Sequence, residues 1–178
     1  MHSFRKKEIL THPLVMGTVI LTLTGFLSRF IGFFYRIFLS RVFGAEGMGI
    51  YQLIAPVLAL SFALTVSGIQ TAISKYVARE EQTGNYRASL RYLITGFLAA
   101  MLLSILCAIF IYRYSEEIAV DFLKEERTAP LLRIISLSIP MAAVHSCING
   151  YFYGIKKTSI PSACQLIEQV IRVGSVYL

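Results

Sequence analysis

Charge is what this chain has least of. Asp, Glu, Lys and Arg make up 15% of its 178 residues, against about a quarter in ordinary soluble domains. Acids are the scarcer sign, with 10 Asp and Glu against 17 Lys and Arg. A sequence that is 56% apolar and this poor in charge cannot coat a globule with hydrated groups, so a soluble domain is excluded. Cysteine is sparse too. Cys107, Cys147 and Cys164 stand singly in apolar runs, with no C-x-x-C pair and no metal-ligand spacing, and read as small packing residues. There is no G-x-x-x-x-G-K-[ST] phosphate loop, no H-E-x-x-H pair and no pair of carboxylates at a membrane face. The sequence therefore calls for no cofactor, no metal and no catalytic residue. Nor does any low-complexity tract or short repeat break its uniformity.

What is present is a series of long apolar runs. Leu14–Phe34, Ile50–Ile73, Leu90–Tyr112, Leu131–Tyr153 and Ile160–Leu178 each hold about 20 residues, enough at 1.5 Å per residue to cross a ~30 Å hydrocarbon layer. Spans are expected near 14–40, 50–73, 90–112, 130–153 and 160–178, and the fold class is all-α, a polytopic membrane helical bundle. Arg5, Lys6 and Lys7 mimic the start of a signal peptide. The run behind them is too long, however, and Arg36 follows it where a small-x-small cleavage site would stand. Leu178 lies inside the last run with no polar exit, the pattern of a truncated chain.

A net charge of +7 raises nucleic acid as a partner, but the positions of the basic residues argue against it. Arg5, Lys6 and Lys7 precede the first run; Lys75, Arg79, Arg87 and Arg91 flank the second and third; Lys156 and Lys157 separate the last two. The connection RYSEEIAVDFLKEERT is instead acidic. Basic loops alternating with an acidic one follow the positive-inside rule, which puts the N-terminus in the cytoplasm. Local signals mark the helix ends. Pro13 suits a first helical turn, GAEGMG reads as a short outer turn, and Pro56 is a candidate kink. The third run, without a charge beyond Arg91 at its start, reads as lipid-facing; Ser159 and Pro161 open the fifth as N-cap and early proline.

The stretch GFLSRFIGFFYRIFLSRVFGAEGMG puts Arg29, Arg36 and Arg41 into an apolar run. A centrally placed arginine costs roughly 2.5–3.5 kcal/mol on insertion scales. At 100° per residue Arg36 falls about 20° from Arg29, and Thr18, Thr22, Gly25 and Gly32 within roughly 60°. The opposite side collects Ile20, Leu23, Leu27, Ile31, Phe34 and Phe38. The expectation is an arginine stripe turned towards a wet interior; the alternative has Arg36 and Arg41 snorkelling to the outer headgroups. Gln165, Glu168, Gln169 and Arg172 form a second stripe in the last run. Glu168 and Arg172 are four apart, which allows either a self-neutralising pair or a cavity-lining role. Within the runs Arg29, Arg36, Arg133 and Arg172 thus face one acid, Glu168. Such an excess needs water, further helices or an anionic ligand, and arginine's fork geometry matches phosphate. Ser138, Ala142, His145 and Asn149 share a face on which hydrogen bonding between helices is expected.

At GFLSRFIGFFYRIFLSRVFGAEGMGIYQLIAPVLAL, SGIQTAISKYVARE and INGYFYGIKKTSIPSACQLIEQVIRV, the chain resembles the oligosaccharide flippase, or polysaccharide biosynthesis, family, in its stage V sporulation protein B-like branch. The resemblance implies two pseudo-symmetric bundles rocking around a central cavity, this chain supplying most of the first. It implies that Arg29 and Arg36, with Arg41 at the rim, contact the diphosphate of an undecaprenyl-linked sugar or peptidoglycan precursor. Cavity-lining positions are expected at Thr22, Gly25, Gly32, Gln52, Thr65, Gln70, Asn149, Glu168 and Arg172. The expected partners are that lipid-linked sugar and membrane lipids, with no nucleic acid. Three alternatives stay open: a drug or small-molecule antiporter on the same fold, a non-transporting assembly factor for cell-envelope or spore synthesis, and a membrane-embedded transferase using His145 and Asn149.

Overall fold

A computed structural model describes residues 13–177, with side chains over 18–175. The described residues are helical throughout, with no strand among them, and the fold is all-α. The first element, α1, is Pro13–Phe62, two helical limbs divided by Gly44 at φ 72 and ψ 177. Only glycine adopts that backbone without steric cost. One residue thus replaces the turn expected over GAEGMG, and Glu46, Met48 and Gly49 are already helical. On a straight helix Arg29 and Tyr51 would stand about 33 Å apart. Both line one cavity of about 380 Å³, so the limbs fold back on each other at Gly44.

The second limb runs through Pro56 without leaving helical geometry; its irregularity comes later, as a π-helical turn at Ala63–Ser67. Hydroxyls fill the carbonyls that this wider turn leaves poorly served: Ser61 Oγ donates to Val57 O at 2.7 Å, and Thr65 Oγ1 to Ser61 O at 2.7 Å. Such back-bonding is common where a helix departs from regular geometry, and here it accompanies the π-helical turn, which the proline does not. α2, Gly68–Thr83, ends on Gly84 in the left-handed region, whose amide serves Glu80 O and Glu81 O. The Asn85 side chain then caps α3, Tyr86–Arg113, by accepting from Ala88 N at 3.2 Å. Short helical turns at Ser115–Glu117, Ile118–Phe122 and Glu126–Thr128 build the acidic connection.

The expected span at 130–153 is two helices, α4 (Ala129–Ser136) and α5 (Ser138–Gly154), bent by 44°. Pro140 accounts for the break. Its ring clashes with the carbonyl four residues earlier, that of Ser136, where α4 stops. α6, Ser159–Tyr177, closes the described chain with Pro161 in its first turn. Two helices, Thr18–Thr83 and Tyr86–Arg113, are long and apolar enough to cross a membrane, or three if the bent pair counts as one span. The 66 residues of the first would make a rod of about 99 Å, three times the hydrocarbon thickness, without the break at Gly44.

α2, α3 and α5 pack against one another, and α6 lies mainly on α1. One core cluster gathers Ile54, Ile111, Leu132 and Ile139 near the acidic connection; the other gathers Val66, Ile73, Val77, Ala143 and Cys147, with Phe62 touching both. α3 is not wholly lipid-facing. Leu98, Leu102, Leu106 and Ile109 are exposed, whereas Ser89, Ala100 and Ser104 are fully buried. α5 approaches the α2 backbone closely through a G-x-x-x-G pair. A Cβ on Gly150 would stand 2.8 Å from Gln70 O, and one on Gly154 2.7 Å from Val77 Cβ. Small residues at this spacing let membrane helices meet backbone to backbone.

Gly150→Ala should lower stability in micelles by about 1–3 kcal/mol, the usual cost of overpacking. Gly25→Ala, with nothing within 4 Å of its Cβ, should not. Thermal or denaturant unfolding of the two variants compares them directly.

Candidate functional site

The first limb of α1 seats α6 along a narrow seam. Thr24 and Ser28 are buried there, and Gly25, Ile31, Gly32 and Tyr35 are half-buried. Thr24 and Ser28 lie about 100–140° around the helix from Arg29. On the other side of Arg29 stand Phe26, Phe30 and Phe33, all exposed and partly stacked along the helix. The arginines therefore occupy the border between a packed seam and an aromatic ridge. The expected apolar side divides differently: Leu23, Leu27 and Phe34 are exposed, whereas Ile20, Ile31 and Phe38 turn partly into the structure. The position of α6 sets that division, and helical arithmetic on α1 alone cannot see it.

At this border lies the cavity of about 380 Å³. Arg29, Gly32, Tyr35 and Arg36 come from the first limb, Met48 and Tyr51 from the second, and Gln169 and Arg172 from α6. Of the expected site residues it brings together Arg29, Arg36, Gly32 and Arg172. Arg41 is exposed and outside its lining. Thr22 is exposed and donates to Thr18 O at 2.9 Å, Gly25 borders the seam, and Gln52 is exposed. Thr65 is buried, its hydroxyl occupied by Ser61 O. Gln70 lies in a separate cavity of about 480 Å³ with Ser67, His145 and Ser146. Asn149 Nδ2 meets His145 Nε2 at 3.2 Å on the same helix, in place of the expected bond between helices. Glu168 is outside the cavity lining but accepts from Arg172 Nη2 at 3.3 Å.

Phe33, Tyr35, Leu39, Met48, Tyr51 and Gln169 are the lining residues that sequence reasoning left off the site. Gln169 was visible as part of the polar stripe on α6. Met48 and Tyr51 could be found only by knowing that α1 folds back.

The charge balance also changes. Arg133 is compensated by the acidic connection: its Nη2 donates to Glu116 Oε1 at 2.6 Å and its Nε to Ser115 Oγ at 2.9 Å. Arg127 likewise pairs with Glu46, tying that connection to the limb beyond Gly44. Among the described residues no hydrogen bond or ion pair reaches Arg29, Arg36 or Arg41. Three guanidiniums line the cavity and one carboxylate stands beside it, 3 − 1 = +2. Arg29 and Arg36 are exposed; an excess of positive charge gathered on one cavity attracts anions, and planar guanidiniums bind phosphate oxygens two at a time.

The same geometry separates paired from unpaired arginines. Arg133→Ala should cost about 1 kcal/mol, as loss of an ordered, partly exposed pair. Arg29→Ala and Arg36→Ala, which break no bond among the described residues, should leave the unfolding midpoint unchanged or raise it. A three-way comparison of melting in detergent checks this.

The family model described as polysaccharide biosynthesis protein matches residues 14–178. Stage V sporulation protein B of Bacillus subtilis (strain 168) is 31% identical over 160 residues, covering 90% of this chain and 31% of that protein. Lipid II flippase MurJ of the same organism is 26% identical over 173 residues, covering 92% of this chain and 32% of that protein. Sporulation protein YkvU, also from that organism, is 26% identical over 172 residues, covering 92% and 35%. The chain thus spans about a third of the length of these relatives. No solved structure shows a significant match. With its family model covering all but the first 13 residues, this chain belongs to the polysaccharide biosynthesis protein family.

Proposed function

We propose that the arginine cavity holds the diphosphate of a lipid-linked sugar, and that the chain works as part of a flippase moving that lipid across the cytoplasmic membrane. The observation that carries this is the meeting of Arg29, Arg36 and Arg172, from two helices, on one cavity with a single carboxylate beside it. A relative named as a lipid II flippase supports the cargo class, an undecaprenyl-diphosphate-linked oligosaccharide or peptidoglycan precursor. Tyr35 and Tyr51 beside the guanidiniums offer aromatic faces and hydroxyls to the first sugar. The exposed ridge of Phe26, Phe30 and Phe33 next to Arg29 suits the acyl chain, which stays in the bilayer.

In this reading the five apolar runs are the spans of one bundle, and alternating access rocks it against a second. Gly44 and the acidic connection share one end, joined by Glu46 and Arg127. Lys156 and Lys157 follow Gly154, which packs on Val77 between Lys75 and Arg79 of α2, with Arg87 and Arg91 at the start of α3. Positive-inside logic turns that basic end, and the N-terminus with it, to the cytoplasm. A cavity of net positive charge repels cationic drugs, which disfavours the antiporter reading.

Arg29→Ala/Arg36→Ala should weaken binding of a fluorescent polyprenyl diphosphate in nanodiscs at least tenfold, since charge-assisted hydrogen bonds contribute about 1.5–3 kcal/mol each. Flipping of lipid-linked sugar in reconstituted vesicles should fall with it. Unchanged binding and flipping by a folded double variant would remove the assignment.

A further inference from the structure

The three cavity arginines are not equivalent. Arg29 and Arg36 carry no carboxylate partner among the described residues, whereas Arg172 is held by Glu168 one helical turn away. That pair is the loosest of the three ion pairs: 3.3 Å through one nitrogen, against 2.6 Å for Arg133 and Glu116, which is backed by a second bond to Ser115. Both partners are about half exposed, so neither is locked in place by packing. Glu168 is also the only acid in α6 and does not itself line the cavity. A carboxylate at mid-helix in a membrane element is costly unless it is compensated. Its sole partner here is a residue that the cavity shares.

We propose that Glu168 is an internal competitor for the anion: it holds Arg172 when the cavity is empty, yields it when a diphosphate enters, and reclaims it to drive release. The proposal rests on the cavity taking a diphosphate. Arg29 and Arg36, free of acids, supply the attraction that recruits the ligand. Arg172 has enough remaining guanidinium N–H groups to bridge from Glu168 to the ligand during the exchange, since a guanidinium carries five donors. A transporter gains from such an arrangement, because a site that binds too tightly does not let its cargo go. An exposed i,i+4 pair of this kind contributes about 0.2–1 kcal/mol, so the competition sets affinity within a few-fold, the scale on which loading and release balance.

The test uses a fluorescent polyprenyl diphosphate and the protein in nanodiscs. Glu168→Gln should bind the probe about two- to fivefold more tightly and release it more slowly. Glu168→Asp keeps the charge but shortens the reach, so it should tighten binding in the same direction, and it guards against a Gln variant that fails to fold. Arg172→Gln should weaken binding, and Glu168→Gln added to it should then change nothing, since the competitor acts through Arg172. Unchanged or weaker binding by both Glu168 variants overturns the proposal. So does equal tightening with and without Arg172, which would mean simple removal of a negative charge. If instead Arg29→Ala/Arg36→Ala leaves probe binding intact, the diphosphate reading itself fails, and that result is separate from either of these.

Discussion

Guanidinium charge placed beside apolar helices, and not cancelled by carboxylates, is the constraint around which the rest of this chain is arranged. A hydrated arginine is cheap and an arginine in hydrocarbon is not, so each one dictates what must surround it. Arg127 and Arg133 are answered by Glu46 and Glu116 at the acidic end. Arg29 and Arg36 are answered by shape: they border a cavity in place of an acid. Arg172 stands between the two solutions, lining the cavity and leaning on Glu168.

Helix breaks make this arrangement possible. A continuous α1 would carry Tyr51 and Met48 far from Arg29; the single glycine at Gly44 brings both limbs to one cavity. The π-helical turn at Ala63–Ser67 sits where the two hydrophobic clusters meet at Phe62, and it offsets the faces of the helix above and below it. The bend before Pro140 lets α4 follow the acidic connection while α5 stays against α2. Irregular backbone at membrane depth is tolerated only where protein or water satisfies it, and here Ser61, Thr65 and the neighbouring helices do so.

Packing strength is uneven for the same reason. α2, α3 and α5 meet through glycine and alanine at distances that exclude even a methyl group. The seam between α1 and α6 is different. A Cβ added to Gly25 or Gly32 would meet nothing within 4 Å, so no close backbone approach locks this seam, whereas unpartnered buried polar atoms occur in both places: Ser28 Oγ and Gln169 Oε1 near the seam, Glu81 Oε2 and Ser89 Oγ in α2 and α3. The tight trio thus acts as a frame, and the cavity-bearing pair is the less firmly closed part of the bundle.

Much of the fold and part of the site were legible in the residues alone. Apolar runs of about 20 residues leave the backbone no hydrogen-bonding option but helices, and the 20° offset between Arg29 and Arg36 puts them on one face whatever surrounds them. Helical spacing likewise joins Glu168 to Arg172. Other features needed the third dimension. Arg133 looked unpaired because its acid lies 17 residues away on a different element. Thr65 looked like a cavity residue, yet its hydroxyl is spent on its own helix. Met48, Tyr51 and Gln169 join Arg29 and Arg36 only after the chain reverses at Gly44 and α6 docks. Local periodicity determines which residues share a side of one helix. Which two sides then meet, and which charges find partners, depends on where breaks redirect the chain, and that is decided by packing between segments distant in sequence.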